Sequence, residues 1–223
     1  MNVEIIPAIN AETFEEVERR VRQVEPYVRW VHLDVADGTF TLNTLWHNAA
    51  ELFVLKTNVL IEVHLMVENP EKVVDAWIGS GAKRIIVHME TIKDFTYLKR
   101  RCDEAKVLLM LAVAPETSWT TLVPFLKENV VSFQVLAVHP GLPGQKFIDG
   151  SPPDTNYAES SYDKIRHLRE YCAFCDLEVD GGVKPGIAKK CREAGANLFA
   201  AATSIFSYSN AEEAIKNLQN DVA

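Results

Sequence analysis

Four side chains able to hold a cation or move a proton stand at the ends of apolar stretches. His32 and Asp34 lie two apart in Trp30-Val31-His32-Leu33-Asp34-Val35. His64 sits in Glu62-Val63-His64-Leu65-Met66, and Asp180 closes Leu177-Glu178-Val179-Asp180 ahead of Gly181 and Gly182. Alternate residues of an extended strand share a face, so His32 and Asp34 point one way and Val31, Leu33 and Val35 the other. One strand-end histidine alone reads as a hydrogen-bonded core residue. Two imidazoles and two carboxylates converging on one face are costly to bury unpaired, and a divalent cation satisfies all four together. The mixed nitrogen and oxygen set suits Zn2+ first, with Fe2+, Mn2+ or Co2+ as alternatives. A hydrolytic zinc site needs an open position and a separate base. Here two expected ligands are carboxylates, which can serve as bases themselves. With Asp34 and Asp180 on opposite sides of a ligand, one removes a proton beside a carbonyl and the other delivers one to the opposite face. The cation would stabilise the enediolate between the two steps. That chemistry inverts a stereocentre.

Such an arrangement requires strands whose ends meet. Eight stretches read as strands: 3–9, 30–35, 59–67, 84–88, 107–113, 133–138, 177–179 and 198–202. Helical spacing fills the intervals. Phe14, Val17, Val21 and Val24 follow a capping box of Thr13 and Glu16. Asn69 and Pro70 open the stretch carrying Val73, Val74 and Trp77, and Gly195 stops another after Ala194. Regular alternation calls for a parallel sheet with helical crossovers. Eight units in 223 residues fit a closed (β/α)8 TIM barrel better than an open doubly wound sheet. One domain spanning 1–223 is the simplest organisation. In a barrel the strand-to-helix loops all lie on the active face. The Gly-, Pro-, Ser- and Asn-containing stretch 149–160 is therefore either a solvated excursion or a lid.

Lys and Arg number 23 against 31 Asp and Glu, a net charge of −8. That field repels phosphate backbones and anionic lipid, which excludes nucleic acid and membrane surfaces as partners. An anionic small molecule must be held by local devices such as backbone N–H groups. The loops after strands six, seven and eight supply candidates in Gly141-Leu142-Pro143-Gly144-Gln145, Gly181-Gly182 and Ala202-Thr203-Ser204. Hydrophobic residues at 48% and charged residues at 24% describe an ordinary globular chain. No apolar run is long enough to span a bilayer and no signal-peptide pattern opens the chain, so a cytosolic location is expected. Cys102, Cys172, Cys175 and Cys191 follow no framework spacing and are expected as free thiols. Cys172-x-x-Cys175 ends a helical stretch rather than opening one, a weak signal for redox or zinc chemistry. His88 and Glu90 read as support for the site, His47 and His167 as surface residues, and Trp30 and Trp77 as core.

The landmarks His-Leu-Asp-Val-Ala-Asp-Gly (32–38), Val-His-Leu-Met-Val-Glu-Asn-Pro (63–70), Val-His-Met-Glu (87–90), Pro-Gly-Leu-Pro-Gly-Gln-Lys-Phe (140–147) and Glu-Val-Asp-Gly-Gly-Val (178–183) occur in order. Together they resemble the ribulose-phosphate 3-epimerase family over residues 7–206. The resemblance implies a metal-dependent interconversion of D-ribulose 5-phosphate and D-xylulose 5-phosphate. It implies His32, Asp34, His64 and Asp180 as metal ligands, and Asp34 and Asp180 as the acid/base pair. Substrate and phosphate contacts carry over to Met66, Gly141, Leu142, Gly144, Gly181, Gly182, Ala202 and Thr203, and a homo-oligomer is implied as well. A 3-epimerase of a hexulose phosphate, of the allulose 6-phosphate type, is the close variant. Sugar-phosphate lyases and decarboxylases of the same fold rely on a lysine beside the carboxylates, and 32–37 contains none. A non-catalytic sugar-phosphate binder is opposed by the intact acid/base groups.

Departures cluster on the substrate side. The family's early Pro-Ser-Ile-Leu-Ser is Pro7-Ala8-Ile9-Asn10-Ala11 here. Ala11 therefore lacks a hydroxyl that contacts substrate in relatives, and Asn10, one position away, is expected on the opposite face. Pro143 removes a backbone donor, Ala202-Thr203 replaces Gly-Ser, Leu136 replaces a methionine, and His139 stands where relatives carry other polar residues. These changes and the 149–160 insert bear on the sugar more than on the reaction.

Overall fold

The computed structural model describes residues 2–141, 144–151, 157 and 159–223. Its strands are β1 (Glu4–Ile9), β2 (Trp30–Ala36), β3 (Leu60–Met66), β4 (Arg84–His88), β5 (Leu108–Val113), β6 (Ser132–Leu136), β7 (Asp176–Asp180) and β8 (Leu198–Ala201). The helices between and after them are α1 (Phe14–Val24), α2 (Pro70–Gly79), α3 (Phe95–Ala105), α4 (Ser161–Tyr171), α5 (Ile187–Ala194), α6 (Thr203–Phe206) and α7 (Ala211–Asp221). Every neighbouring pair of strands runs parallel and β1 returns to β8, which closes the expected TIM barrel. The expected strands differ from these by at most two residues at either end. β6 stops early, at Leu136. Ala137 N makes one last bond to the carbonyl of Asp180 at 2.7 Å, and the chain then leaves the ladder toward Pro140, which has no N–H to give.

Local chemistry accounts for the helix ends. The Thr13 hydroxyl accepts from Glu16 N at 3.3 Å, and the Glu16 carboxylate pairs with Arg20 one turn on. Pro70 occupies the first position of α2, where its missing donor is not needed. On the strands the two-residue period sorts side chains cleanly. Val31, Leu33, Val35, Val63, Leu65 and Phe133 pack outward with Val17, Val21, Leu98 and Ile165 of the helices in one large cluster. Ile6, Trp30, Ile86, Met110, Ala112 and Leu198 fill the barrel itself. Burying each large aliphatic side chain contributes about 1.5–3 kcal/mol, so the alternation that aims polar groups inward near the strand ends also fixes the register.

The expectation of four free thiols fails at one pair: Cys172 and Cys175 are joined by a disulfide. The turn that leaves α4 for β7 brings their Cα atoms to 5.5 Å, inside the range a disulfide spans. Cys102 and Cys191 remain free and buried, and burial pushes the Cys102 thiol up to about 12. Of the 149–160 insert, 152–156 and 158 lie outside the described residues, and so does the choice between excursion and lid. Its Tyr157 hydroxyl lies 2.8 Å from His139 Nε2 at the barrel mouth. Among the described residues no helix is long and apolar enough to cross a membrane.

Candidate metal centre and active site

The parallel register of β2 and β3 sets His32 beside Glu62 and Asp34 beside His64. β7, three strands away around the closed barrel, ends in Asp180. Four donor atoms meet there. His32 Nε2 lies 3.2 Å from Asp34 Oδ1 and 3.7 Å from Asp180 Oδ2, while His64 Nδ1 lies 3.0 and 3.4 Å from the same two oxygens. His32 and His64 are fully buried, and Asp34 and Asp180 are 6% and 8% exposed. One donor atom from each falls within 4.8 Å of all the others. Two imidazole nitrogens and two carboxylate oxygens at this spacing, in a buried place, match what a first-row divalent cation accepts. The donor set therefore fits a metal ion.

The polar partners behind the histidines decide which nitrogen faces the site. His32 Nδ1 is 2.7 Å from Glu62 Oε1, so that nitrogen points its N–H at Glu62 and Nε2 is the atom turned toward the site, where a bound cation would take its lone pair. His64 is turned the other way. Its Nε2 is 2.9 Å from His88 Nε2, and His88 Nδ1 is 3.2 Å from Glu90 Oε2. Glu90 in turn accepts from the Ala114 N–H at 2.9 Å and from the Thr117 hydroxyl. The loop carrying both donors is held by the buried Lys164 ammonium, which donates to the carbonyls of Ala114, Pro115 and Thr117 at 2.9, 2.7 and 2.6 Å. His88 and Glu90 thus support the site as expected, and the route runs through His64.

A second polar layer lies below, beyond what the motifs indicate. Arg84, inside the barrel at 3% exposure, bonds Glu62 and stacks over Trp30 at 4.5 Å. Gln134 Nε2 donates to Glu178 Oε1 at 2.9 Å. Interior parity on β3, β4, β6 and β7 is the signal that could have found all four side chains.

The charges in these layers are strongly linked. Burial pushes the Asp34 carboxyl up, but the imidazoles of His32 and His64 outweigh it and hold the group below the usual carboxylate range. Burial pushes His32 down, and Asp34, Glu62 and Asp180 together hold it well above its ordinary value. Glu178 is raised by burial and by the neighbouring Glu62 charge, whereas Glu62 stays low against burial because Arg84 and His32 face it. His88 is lowered by burial, consistent with a neutral ring bridging His64 and Glu90.

Above the donors opens a cleft lined in part by Asp34, Met66, Gly141, Gly144, Asp180, Gly181, Gly182, Ala202 and Thr203. Leu142 and Pro143 lie outside the described residues. His32 and His64 form the buried floor rather than the wall. Gly181 and Gly182 have φ of +94° and +66°. A Cβ on Gly182 would sit 2.6 Å from Phe147 N, so only glycine lets the loops after β6 and β7 approach so closely. A groove adjoining this end, which shares Gly144, Gly182 and Thr203 with the cleft, carries Lys146 and Lys184, two cations that motif reading passes over.

On β1 the expected facing is reversed. Ala8 pairs with His32 and Ile9 with Leu33, so Ala8 and Asn10 face the cleft and Ala11 packs into the outer apolar cluster. The Asn10 carboxamide donates to Asp34 Oδ2. Ala11 is not part of the cleft lining, and the polar contact there comes from Asn10.

Residues 4–206 match the model of the ribulose-phosphate 3 epimerase family. The ribulose-phosphate 3-epimerase of Schizosaccharomyces pombe is 29% identical over 227 residues, covering 100% of this chain and 95% of its own. That of Chlamydia trachomatis is 31% identical over 210 residues, covering 91% and 85%, and that of Synechocystis 31% over 227 residues, covering 98% and 94%. Among solved structures, a 3-hexulose-6-phosphate synthase superposes with a TM-score of 0.72 at 14% identity, covering 99% of this chain and 100% of that one. KGPDC from Streptococcus mutans gives 0.74 at 11%, covering 100% and 98%. At those identities the structural likeness speaks for the fold alone.

Proposed function

The chain belongs to the ribulose-phosphate 3-epimerase family, and we propose that it interconverts D-ribulose 5-phosphate and D-xylulose 5-phosphate by two-base proton transfer at carbon 3. The observation that carries this reading is the division of labour within each carboxylate. Asp34 Oδ1 and Asp180 Oδ2 face the histidine nitrogens, which leaves Asp34 Oδ2 and Asp180 Oδ1 as the proton-transferring atoms. The two residues arise from strands on different sides of the mouth, the arrangement that removing and adding a proton on opposite faces of one carbon requires.

His32, Asp34, His64 and Asp180 are the residues that would hold a divalent cation, Zn2+ by its preference for this donor set. When bound, such an ion supplies a positive charge against which negative charge on the substrate oxygens is stabilised. The protein's own residues do the rest. Asp34 Oδ2 takes the carbon-3 proton from one face while Asp180 Oδ1, protonated, delivers one to the other, and the roles exchange in the reverse direction. Met66 and Leu136 close apolar sides of the cleft against water. The N–H groups of Gly181, Gly182, Ala202 and Thr203, with Gly141 and Gly144 opposite, are the donors for the phosphate, and Lys146 and Lys184 supply the positive field that the chain as a whole lacks.

The test is to incubate the metal-loaded protein with ribulose 5-phosphate in deuterium oxide. The expected result is xylulose 5-phosphate carrying deuterium at carbon 3, lost on chelation and restored by Zn2+. Neither product nor exchange with any of Zn2+, Fe2+, Mn2+ or Co2+ would overturn the reading. A parallel run with allulose 6-phosphate fixes the sugar.

A further inference from the structure

Asp34 has two tasks in the reading above, and they conflict. A carboxylate beside a cation can turn both oxygens toward it, and an oxygen so engaged is lost as a base. Something must keep Oδ1 in the donor cluster and Oδ2 out of it. On β2 itself Leu33 and Val35 face the outer cluster and His32 reaches only Oδ1, so a restraint on Oδ2 must come from another strand.

The β1 register supplies it. Ile6 and Ala8 face the interior, and Asn10 follows them in parity one residue beyond the end of the strand. Ala8 stands beside His32, which brings position 10 level with Asp34, and the Asn10 carboxamide donates to Asp34 Oδ2. The direction of that bond is chemically determined: an ionised carboxylate only accepts, so the group facing it is the NH2. The other oxygen, Oδ1, is 3.2 Å from His32 Nε2 and 3.0 Å from His64 Nδ1. The carboxylate is thereby gripped at opposite corners by different strands. A carboxylate oxygen has two lone pairs, so Oδ2 can hold the Asn10 bond and still accept a proton from a ligand in the cleft.

We propose that Asn10 is a positioning residue that keeps Asp34 bound to the metal site through Oδ1 alone and reserves Oδ2 for proton transfer. The proposal rests on the two-base reading for its kinetic consequence. Its structural consequence is independent of any substrate.

The structural arm uses Co2+-loaded protein. In Asn10→Leu the unrestrained carboxylate rotates to offer both oxygens, so the cobalt visible spectrum should change in intensity and position toward a higher coordination number. Co2+ affinity, measured by chelator competition, should move by less than about threefold. Asn10→Gln, which keeps the carboxamide donor, should return the spectrum toward the parent. The kinetic arm uses ribulose 5-phosphate. In Asn10→Leu kcat should fall about tenfold to a hundredfold, the scale of a misplaced reacting group. KM should change little, and the primary isotope effect with carbon-3-deuterated substrate should increase as proton transfer becomes slower. Asn10→Ala, which adds no bulk, repeats both arms should the leucine variant fold poorly. Identical cobalt spectra in parent, Asn10→Leu and Asn10→Ala would overturn the proposal, whatever the activity. Variants that show the spectral change, alongside a parent protein that turns over no ketose phosphate, would overturn the two-base reading and leave the role of Asn10 standing.

Discussion

The two ends of the cleft are built from different parts of the chain. At the metal end His32, Asp34, His64 and Asp180 project from strands whose register is fixed by apolar side chains on the outer face. Each imidazole is aimed by a buried partner, Glu62 or His88. At the proposed phosphate end the cleft is lined by loops after β6, β7 and β8, and their geometry depends on glycine conformations and on how closely Phe147 and Val138 approach Gly182 and Gly181. A strand-borne group is positioned by the whole sheet, so its loss is felt as chemistry. A loop-borne donor is positioned locally, and its loss is felt as binding.

Four substitutions test that contrast, from the largest expected effect to the smallest. Asp180→Asn keeps shape but cannot carry the proton. Turnover should fall by at least about a thousandfold with the fold unchanged by circular dichroism, and a kcat near the parent value would remove Asp180 from the acid/base pair. His88→Asn breaks the route from Glu90 to His64 one residue away from the donors. Metal affinity should drop about tenfold to a hundredfold in a chelator titration, and an unchanged affinity would mean that strand register alone aims His64. Gly182→Ala pushes a methyl group against Phe147. At this end we expect KM for the sugar phosphate to rise about tenfold with kcat nearly unchanged. A selective loss of kcat would erase the distinction between the two ends.

The smallest effect concerns acid stability of the metal-free protein. Burial alone would raise Glu90, but His88, the Thr117 hydroxyl and the Ala114 N–H together bring it down to about 2. A carboxylate whose folded-state pKa is depressed contributes stability that is fully present above its unfolded pKa of about 4.3. That contribution is lost as pH falls from there toward 2. Glu90→Gln should therefore flatten the fall in melting temperature across this window and lower stability slightly at pH 7. A variant that follows the parent acid curve would show that Glu90 is not tied to the fold through His88.

The barrel and the convergence of the four donors were legible in the sequence because both rest on local rules. A two-residue period decides which side chains face inward, and strand and helix alternation decides that the strand ends share one face. The same parity would have exposed Glu62, Arg84, Gln134 and Glu178, had the interior positions below the donors been read as one layer. Asn10 and Ala11 show where a motif misleads. Family likeness points to position 11 as the substrate-side residue, whereas counting alternately from Ile6 and Ala8 places Asn10 in the cleft. The Cys172–Cys175 bond was not legible, since spacing alone does not show how the turn after α4 folds back.

What the sequence alone determined is therefore which residues face the barrel axis, a property of each strand taken singly. Tertiary structure decided which of them share a height and which atoms meet: Nε2 of His32 against Nδ1 of His64, Oδ1 of Asp34 toward the donors and Oδ2 toward Asn10. The physical reason is stagger. Strands in a closed barrel tilt and shift against one another, so inward residues from distant segments are brought level only by the closure of β1 onto β8. A carboxylate's two equivalent oxygens become different only when neighbours from separate strands hold them apart.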